Sequence, residues 1–188
     1  MDIQDRFNQT KVILDKSKIL ESDIVLVSQK IVKALEKGGK IIVMGNGGSA
    51  ADAQHFVAEL VGRYKSEREP LSAIALTTDT SIITAIGNDY GFEEVFSRQC
   101  KALVNVGDVI LAISTSGNSE NILQALRISR KKSAVTIGLS GKNGGKMNEL
   151  CDVILKIPST DTPIIQEIHG IVLHVICELI DESINASD

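Results

Sequence analysis

Apolar positions along the chain follow two rhythms. Over the first 37 residues they recur at helical spacing, with Ile3, Phe7, Val12 and Leu14 on one stretch and Ile24, Val27, Ile31 and Leu35 on the next. The spacing predicts helices over 3–20 and 23–37, with Ser22 and Asp23 as break and cap and Gly38 and Gly39 as the stop. Beyond that point, short β-branched runs at 40–44, 71–76, 109–113, 134–139 and 152–157 alternate with helical stretches. Those stretches lie at 49–64, 79–86 with 93–104, 119–132 and 163–184, with a short turn near 146–150. This alternation predicts an α/β fold: a three-layer α-β-α sandwich on a five-stranded parallel sheet, preceded by a helical pair. Val109 to Ile113 is apolar without a break, as an interior parallel strand should be. Two leading helices exceed what a small sheet needs for cover, so their apolar faces are candidates for contact with another subunit.

Two strand ends carry unusual chemistry. The first strand runs into Gly45, Asn46, Gly47, Gly48 and Ser49, which open a helix-favouring stretch. A glycine turn at a helix N-terminus gathers unpaired N–H groups and the positive end of the helix dipole, and so forms an anion site. The third strand runs into Ser114, Thr115, Ser116, Gly117, Asn118 and Ser119, whose hydroxyls and N–H groups suit a phosphate without help from a lysine. Ligands in open α/β sheets sit where strand order reverses, so two loops serving one ligand predict an order beginning 2-1-3. Gly45, Gly47 and Ala50 also fit a loose dinucleotide fingerprint, with Asp79 as its acidic partner. That reading leaves the hydroxyl-rich loop, His55 and Glu59 without a purpose.

Asp52, His55 and Glu59 share one face of the helix after the glycine turn, a spacing suited to one metal ion or one proton-transfer pair. In the last helix Gln166, Gly170 and His174 form a stripe with the smallest residue in the middle, either a gap kept clear for a ligand or a site of close packing. Gln166 and His174 would stand about 12 Å apart along a regular helix, so spacing alone does not make them ligands of one ion. A histidine in an apolar run is more often core than ligand, which leaves His174 and His169 both open. Asn88 and Asp89 follow a predicted helix and have turn chemistry, either a plain surface loop or one that binds a sugar hydroxyl.

Composition narrows the class. The 188 residues suit one domain, 43% are apolar and 3% aromatic, and the core is therefore aliphatic. The net charge of −4 offers no footprint for nucleic acid, and Arg127, Arg130, Lys131 and Lys132 read as a solvated helix end. Cys100, Cys151 and Cys177 are odd in number and far apart, as expected of reduced, buried thiols in a cytoplasmic protein. The acidic start lacks the apolar stretch of a signal peptide, and no apolar run is expected to reach the length of a membrane span.

Taken together, residues 45–56, 59–63, 88–89, 114–119 and 165–169 resemble those of the phosphoheptose isomerases, which are sugar isomerase (SIS) domain enzymes. The resemblance runs nearly end to end. It implies one SIS domain over 1–188 with a flavodoxin-like strand order, and interconversion of sedoheptulose 7-phosphate and D-glycero-D-manno-heptose 7-phosphate for lipopolysaccharide or capsule. It implies one zinc per subunit on His55, Glu59, Gln166 and His174, with Glu59 as base and His174 as acid. It implies phosphate contacts from Ser49, Ser114, Ser116 and Ser119, and sugar contacts from Asn46, Gly47, Gly48, Glu59, Asn88, Asp89, Thr115 and Gln166. It also implies a homotetramer with sites at subunit interfaces. One departure is Ile164, where the family often has arginine. The alternative is a non-catalytic SIS module that binds phosphosugar or protein.

Overall fold

The computed structural model of the chain describes residues 2–186. Among them are seven α-helices and five strands: α1 (Ile3–Ser17), α2 (Glu21–Glu36), β1 (Ile41–Gly45), α3 (Gly48–Val61), β2 (Ala73–Ala75), α4 (Thr80–Tyr90), α5 (Ser97–Leu103), β3 (Val109–Ser114), α6 (Glu120–Lys131), β4 (Val135–Gly141), β5 (Val153–Ile157) and α7 (Thr162–Asn185). All strand pairs are parallel and the order is β2-β1-β3-β4-β5, so the predicted reversal between β1 and β3 is present.

Side-chain alternation divides the core in two. Ile41, Val43, Val109, Leu111, Ile113, Ile137 and Leu139 point to one face, where they meet α2, α3 and α7. Ile42, Met44, Ile110 and Ala112 point to the other, against Phe96, Cys100, Ile122 and Leu126 of the α5 and α6 side. A right-handed crossover explains the division, because β1 to β2 steps one way along the sheet and β3 to β4 steps the other. Helix α7 follows the last strand and returns to the α3 side, where it packs along α2 and α3.

Several element boundaries differ from the sequence reading, among them α3, which ends at Val61 rather than at 64, and β2, which spans only Ala73–Ala75. The leading helices break at a 3₁₀ turn over Lys18–Leu20 rather than at Ser22 and Asp23. Helix α4, capped by the Asp79 carboxylate on the Ile82 N–H at 2.9 Å, runs to Tyr90 instead of stopping at 86. Asn88 and Asp89 therefore occupy its final turn rather than a loop, since the chain leaves the helix only at Gly91, whose φ of 97° favours glycine. Helix α5 is shorter than expected, with a 3₁₀ turn at Phe92–Glu94 before it.

The expectation that no apolar run reaches the length of a span fails for α7, whose 24 residues pass by length and mean hydropathy (1.5). A core helix meets the same test, and α7 buries Ile164, Ile165, Ile168, Val172, Leu173, Ile176 and Ile180 against the sheet side of the molecule. The three cysteines are unpaired, and burial pushes their thiols up, to about 11 for Cys100 and about 12 for Cys151 and Cys177.

His169 is the core histidine of α7. It is fully buried, its Nε2 lies 3.3 Å from the Ser140 carbonyl, and its Nδ1 has no hydrogen-bond partner among the described residues. Burial lowers its pKa to about 4, against a small opposing effect of the Ser140 carbonyl. Between the unfolded value near 6.5 and the folded one, only the unfolded chain takes up a proton. Stability is therefore full above pH 6.5 and falls by roughly 3 kcal/mol as the pH drops to 4. His169→Gln should remove most of that decline, checked by urea unfolding at pH 7 and pH 4.5; an unchanged decline would place its cause in other groups.

Candidate active site

The site begins where α3 and α7 lie side by side. His55 and Glu59 stand one turn apart on α3, with His55 Nε2 3.1 Å from Glu59 Oε1. His174 of α7 brings its own Nε2 to 3.5 Å from that of His55, with the two rings edge to face. One donor atom from each of the three residues lies within 4.8 Å of the others. The edges of a tetrahedron with ~2.05 Å bonds measure about 3.3 Å, so two of the observed separations already suit a single small ion. Two imidazoles and a carboxylate, with a coordination position left open, make a donor set matched to a divalent transition metal.

Toward the start of α3 the same helix pair holds the glycine turn. Gly47 turns with φ of 57°, and Gly48 begins the helix so close to α7 that a Cβ there would meet the Gln166 amide nitrogen at 2.7 Å. Gln166, expected as a fourth ligand, thus has its amide beside Gly48, two turns from His174. Three of the four expected ligands come together and the fourth faces the glycine turn. Ser49 is buried in the first turn of α3. In the neighbouring loop after β3, the Ser114 and Ser119 hydroxyls face each other at 3.2 Å. Ser119 is the N-cap of α6 but makes no side-chain cap, so its hydroxyl is not committed to the helix. The Ser116 hydroxyl accepts from the Asn118 N–H at 3.1 Å, and Thr115 with Ser116 lines a polar pocket shared with Lys142, Ser159, Thr160 and Thr162.

Several participants escaped the sequence reading. Asn121 pairs its amide reciprocally with that of Asn46, at 3.0 and 2.9 Å, and so ties the glycine turn to the first turn of α6. Lys142, in the polar pocket, is a cation beside the serine loop. Tyr64 stacks on the His174 ring, with centroids 5.8 Å apart. Arg68 and Asp181 form a buried ion pair at 2.7 Å just behind it. Burial alone would raise the Asp181 pKa, but the Arg68 guanidinium, the Ser66 and Lys65 amides and the Ser66 hydroxyl hold it below the ordinary carboxylate value. Asp52 lines the same small pocket as His55, Glu59, Gly170 and His174. Its Oδ2 is buried without a partner among the described residues, and burial pushes its carboxyl up against the opposing effect of His55.

His174 stands with His55 and Glu59, whereas His169 is buried in the core. A Cβ built on Gly170 would meet nothing within 4 Å, so close packing within the chain does not explain this glycine. Asn88 and Asp89 are exposed and hydrogen-bond to each other at 2.8 Å. The structure does not bring them to the serine loop or the histidine pair within this chain.

The SIS domain family model matches residues 7–141, and the 2-1-3 parallel sheet with a glycine turn and a serine loop at adjacent strand ends agrees with it. The chain is 54% identical over 181 residues to phosphoheptose isomerase 1 of Campylobacter jejuni, covering 96% of this chain and 97% of that protein. The chain belongs to the phosphoheptose isomerase family. Among solved structures, phosphoheptose isomerase GmhA of Neisseria gonorrhoeae superposes with a TM-score of 0.91 at 43% identity, covering 96% of this chain and 97% of that one. A phosphoheptose isomerase from Francisella tularensis does so with a TM-score of 0.88 at 39% identity, over 97% of this chain and 100% of the other.

Equilibrium dialysis should show one divalent transition-metal ion bound per chain. His174→Ala should weaken that binding at least tenfold, since it leaves two donors. Equal binding by His174→Ala and the parent would move the ion away from these side chains.

Proposed function

We propose that the protein interconverts sedoheptulose 7-phosphate and D-glycero-D-manno-heptose 7-phosphate by proton transfer through an enediol. The observation that carries this reading is the shared axis of α3, with a glycine turn at its head and a carboxylate flanked by two imidazoles about two to three turns further on. A seven-carbon chain held by its phosphate would extend its carbonyl end toward that carboxylate. The names carried by the relatives agree with an isomerase of phosphorylated heptose, and no specific observation favours a non-catalytic module.

In this reading Ser49, Ser114, Ser116 and Ser119 hold the phosphate, with the N-termini of α3 and α6 supplying N–H groups and favourable dipoles. Asn46, Gly47, Gly48, Thr115 and Gln166 line the path of the sugar. Glu59 takes the proton from carbon and returns it to the neighbouring carbon, while His174 moves protons at the two oxygens. His55, Glu59 and His174 would hold zinc, which suits two histidines and a carboxylate and would supply electrostatic stabilisation of the oxygens. Glu59 serves as base only with its carboxylate free to reach the substrate. We place Gln166, beside Gly48, with the sugar rather than with the ion.

The assembly we propose is a homotetramer in the cytoplasm. Helix α1 buries only Ser17 and exposes Ile3, Phe7, Val12 and Leu14, and an apolar groove runs between α2 and α7 past Ile24, Val25, Val175 and Leu179. Asn88 and Asp89 would then serve the site of a neighbouring subunit. Light scattering should return four times the chain mass; a monomer at micromolar concentration would overturn the assembly. The heptose product would feed lipopolysaccharide or capsule synthesis.

The reaction is tested by deuterium incorporation from heavy water into sedoheptulose 7-phosphate. The parent should exchange and isomerise. Glu59→Gln should bind substrate yet lose both activities, while His174→Ala should lose turnover and retain slow exchange through water. Normal exchange by Glu59→Gln would remove Glu59 as the base, and product formed without any exchange in the parent would point to hydride transfer.

A further inference from the structure

The chain beyond α3, over residues 62–72, has no regular structure, yet it is tied down at several points. The Arg68 side chain is only 2% exposed. Its Nε donates to Asp181 Oδ1 at 2.7 Å, its Nη2 to the Glu59 carbonyl at 2.9 Å and its Nη1 to the Leu60 carbonyl at 3.0 Å. The other carboxylate oxygen of Asp181 accepts from the Lys65 N–H, the Ser66 N–H and the Ser66 hydroxyl at 3.0–3.2 Å. One buried ion pair therefore fixes the carbonyl of Glu59, the backbone next to Tyr64, and α7 two turns beyond His174.

The residue placed by these bonds is Tyr64. Its ring lies against one face of the His174 imidazole, with centroids 5.8 Å apart and planes inclined by 26°. The ring of His55 meets His174 edge-on, with centroids at 5.0 Å and planes at 86°. Lys65 Nζ sits 5.7 Å from the Tyr64 ring centroid while pairing with Glu178. A surface histidine on a helix ordinarily samples several rotamers. Here a flat aromatic wall and a second imidazole leave little freedom for rotation about its side-chain bonds.

We propose that Tyr64 is a positioning residue that sets the plane of His174, and that the Arg68–Asp181 pair holds Tyr64 in place. It acts through stacking, not through its hydroxyl, and its effect reaches both the ion held by the His55, Glu59 and His174 trio and proton transfer at His174. The part concerning turnover rests on the isomerase reading given above; the part concerning metal binding does not.

The test compares Tyr64→Phe with Tyr64→Leu at a half-buried position where neither substitution removes a core side chain. Cobalt(II) serves as the metal probe, read by its absorption spectrum and by competition with a chromophoric chelator. Tyr64→Phe should match the parent in cobalt affinity, in spectrum and in kcat. Tyr64→Leu should bind cobalt about 10- to 100-fold more weakly, as removal of groups that orient ligands commonly does, and should lose kcat with KM nearly unchanged. Melting temperatures of the two variants, measured without metal, should agree, which separates positioning from loss of fold. Cobalt binding by Tyr64→Leu equal to that of the parent would overturn the proposal, as would a Phe variant as impaired as the Leu variant. A parent that binds cobalt but does not isomerise would overturn the isomerase reading alone, and the cobalt comparison would still decide the role of Tyr64.

Discussion

Two helices that follow different strands, α3 after β1 and α7 after β5, run in the same sense along one face of the sheet, and their contact brings the His55, Glu59 and His174 side chains together. At one end Gly48 permits the Gln166 amide to approach the backbone of α3. Seven residues on, His55 meets His174 across the same seam. A side chain at position 48 would displace the Gln166 amide from the turn. Apolar burial of Phe56, Leu60, Ile165, Ile168, Val172 and Leu173 supplies the force that closes the seam, and the polar groups are placed as a result. Strand order does the rest. Because β1 and β3 are neighbours, the turn that opens α3 and the loop that opens α6 face the same volume.

The polar groups near this seam fall into two kinds. Arg68 and Asp181 are buried but satisfied several times over, so their desolvation is offset by hydrogen bonds that also tie irregular chain to helix. Asp52 and His169 each leave one polar atom without a partner among the described residues. For His169 the consequence is confined to stability, since it lies in the core. Asp52 lies in the pocket beside His55 and Glu59, where an unpaired carboxylate oxygen adds to the negative potential felt by a cation.

Much of this was legible in the chain because the signals were local. Continuous apolar runs marked the interior strands, glycines and serines marked the loops, and the loop chemistry implied the strand order. The length of α4 was not legible, since Asn88 and Asp89 favour turns in isolation and only the backbone of Gly91 ends the helix. Nor could helical spacing choose between His169 and His174, five positions apart on an apolar helix. That depends on which face α3 covers. Tyr64, Asn121 and the Arg68–Asp181 pair carry no motif at all. Their roles come from contacts between residues as many as 116 positions apart, which the fold alone creates. The membrane-length hydropathy of α7 has the same origin, as a helix flanked by sheet and by other helices is apolar over most of its surface.

The reciprocal amide pair of Asn46 and Asn121 bears on the chemical durability of the protein. Asn46 precedes Gly47, and an asparagine followed by glycine is the dipeptide whose side-chain carbonyl is most open to attack by the next backbone nitrogen, with loss of ammonia. Here both ends of the Asn46 amide are engaged by Asn121, which restrains the rotation that such an attack needs. Conversion to aspartate would set a fixed negative charge in the glycine turn, beside N–H groups arranged for an anion. The contact that joins the glycine turn to the first turn of α6 thus also restrains the ageing reaction that would place a negative charge there.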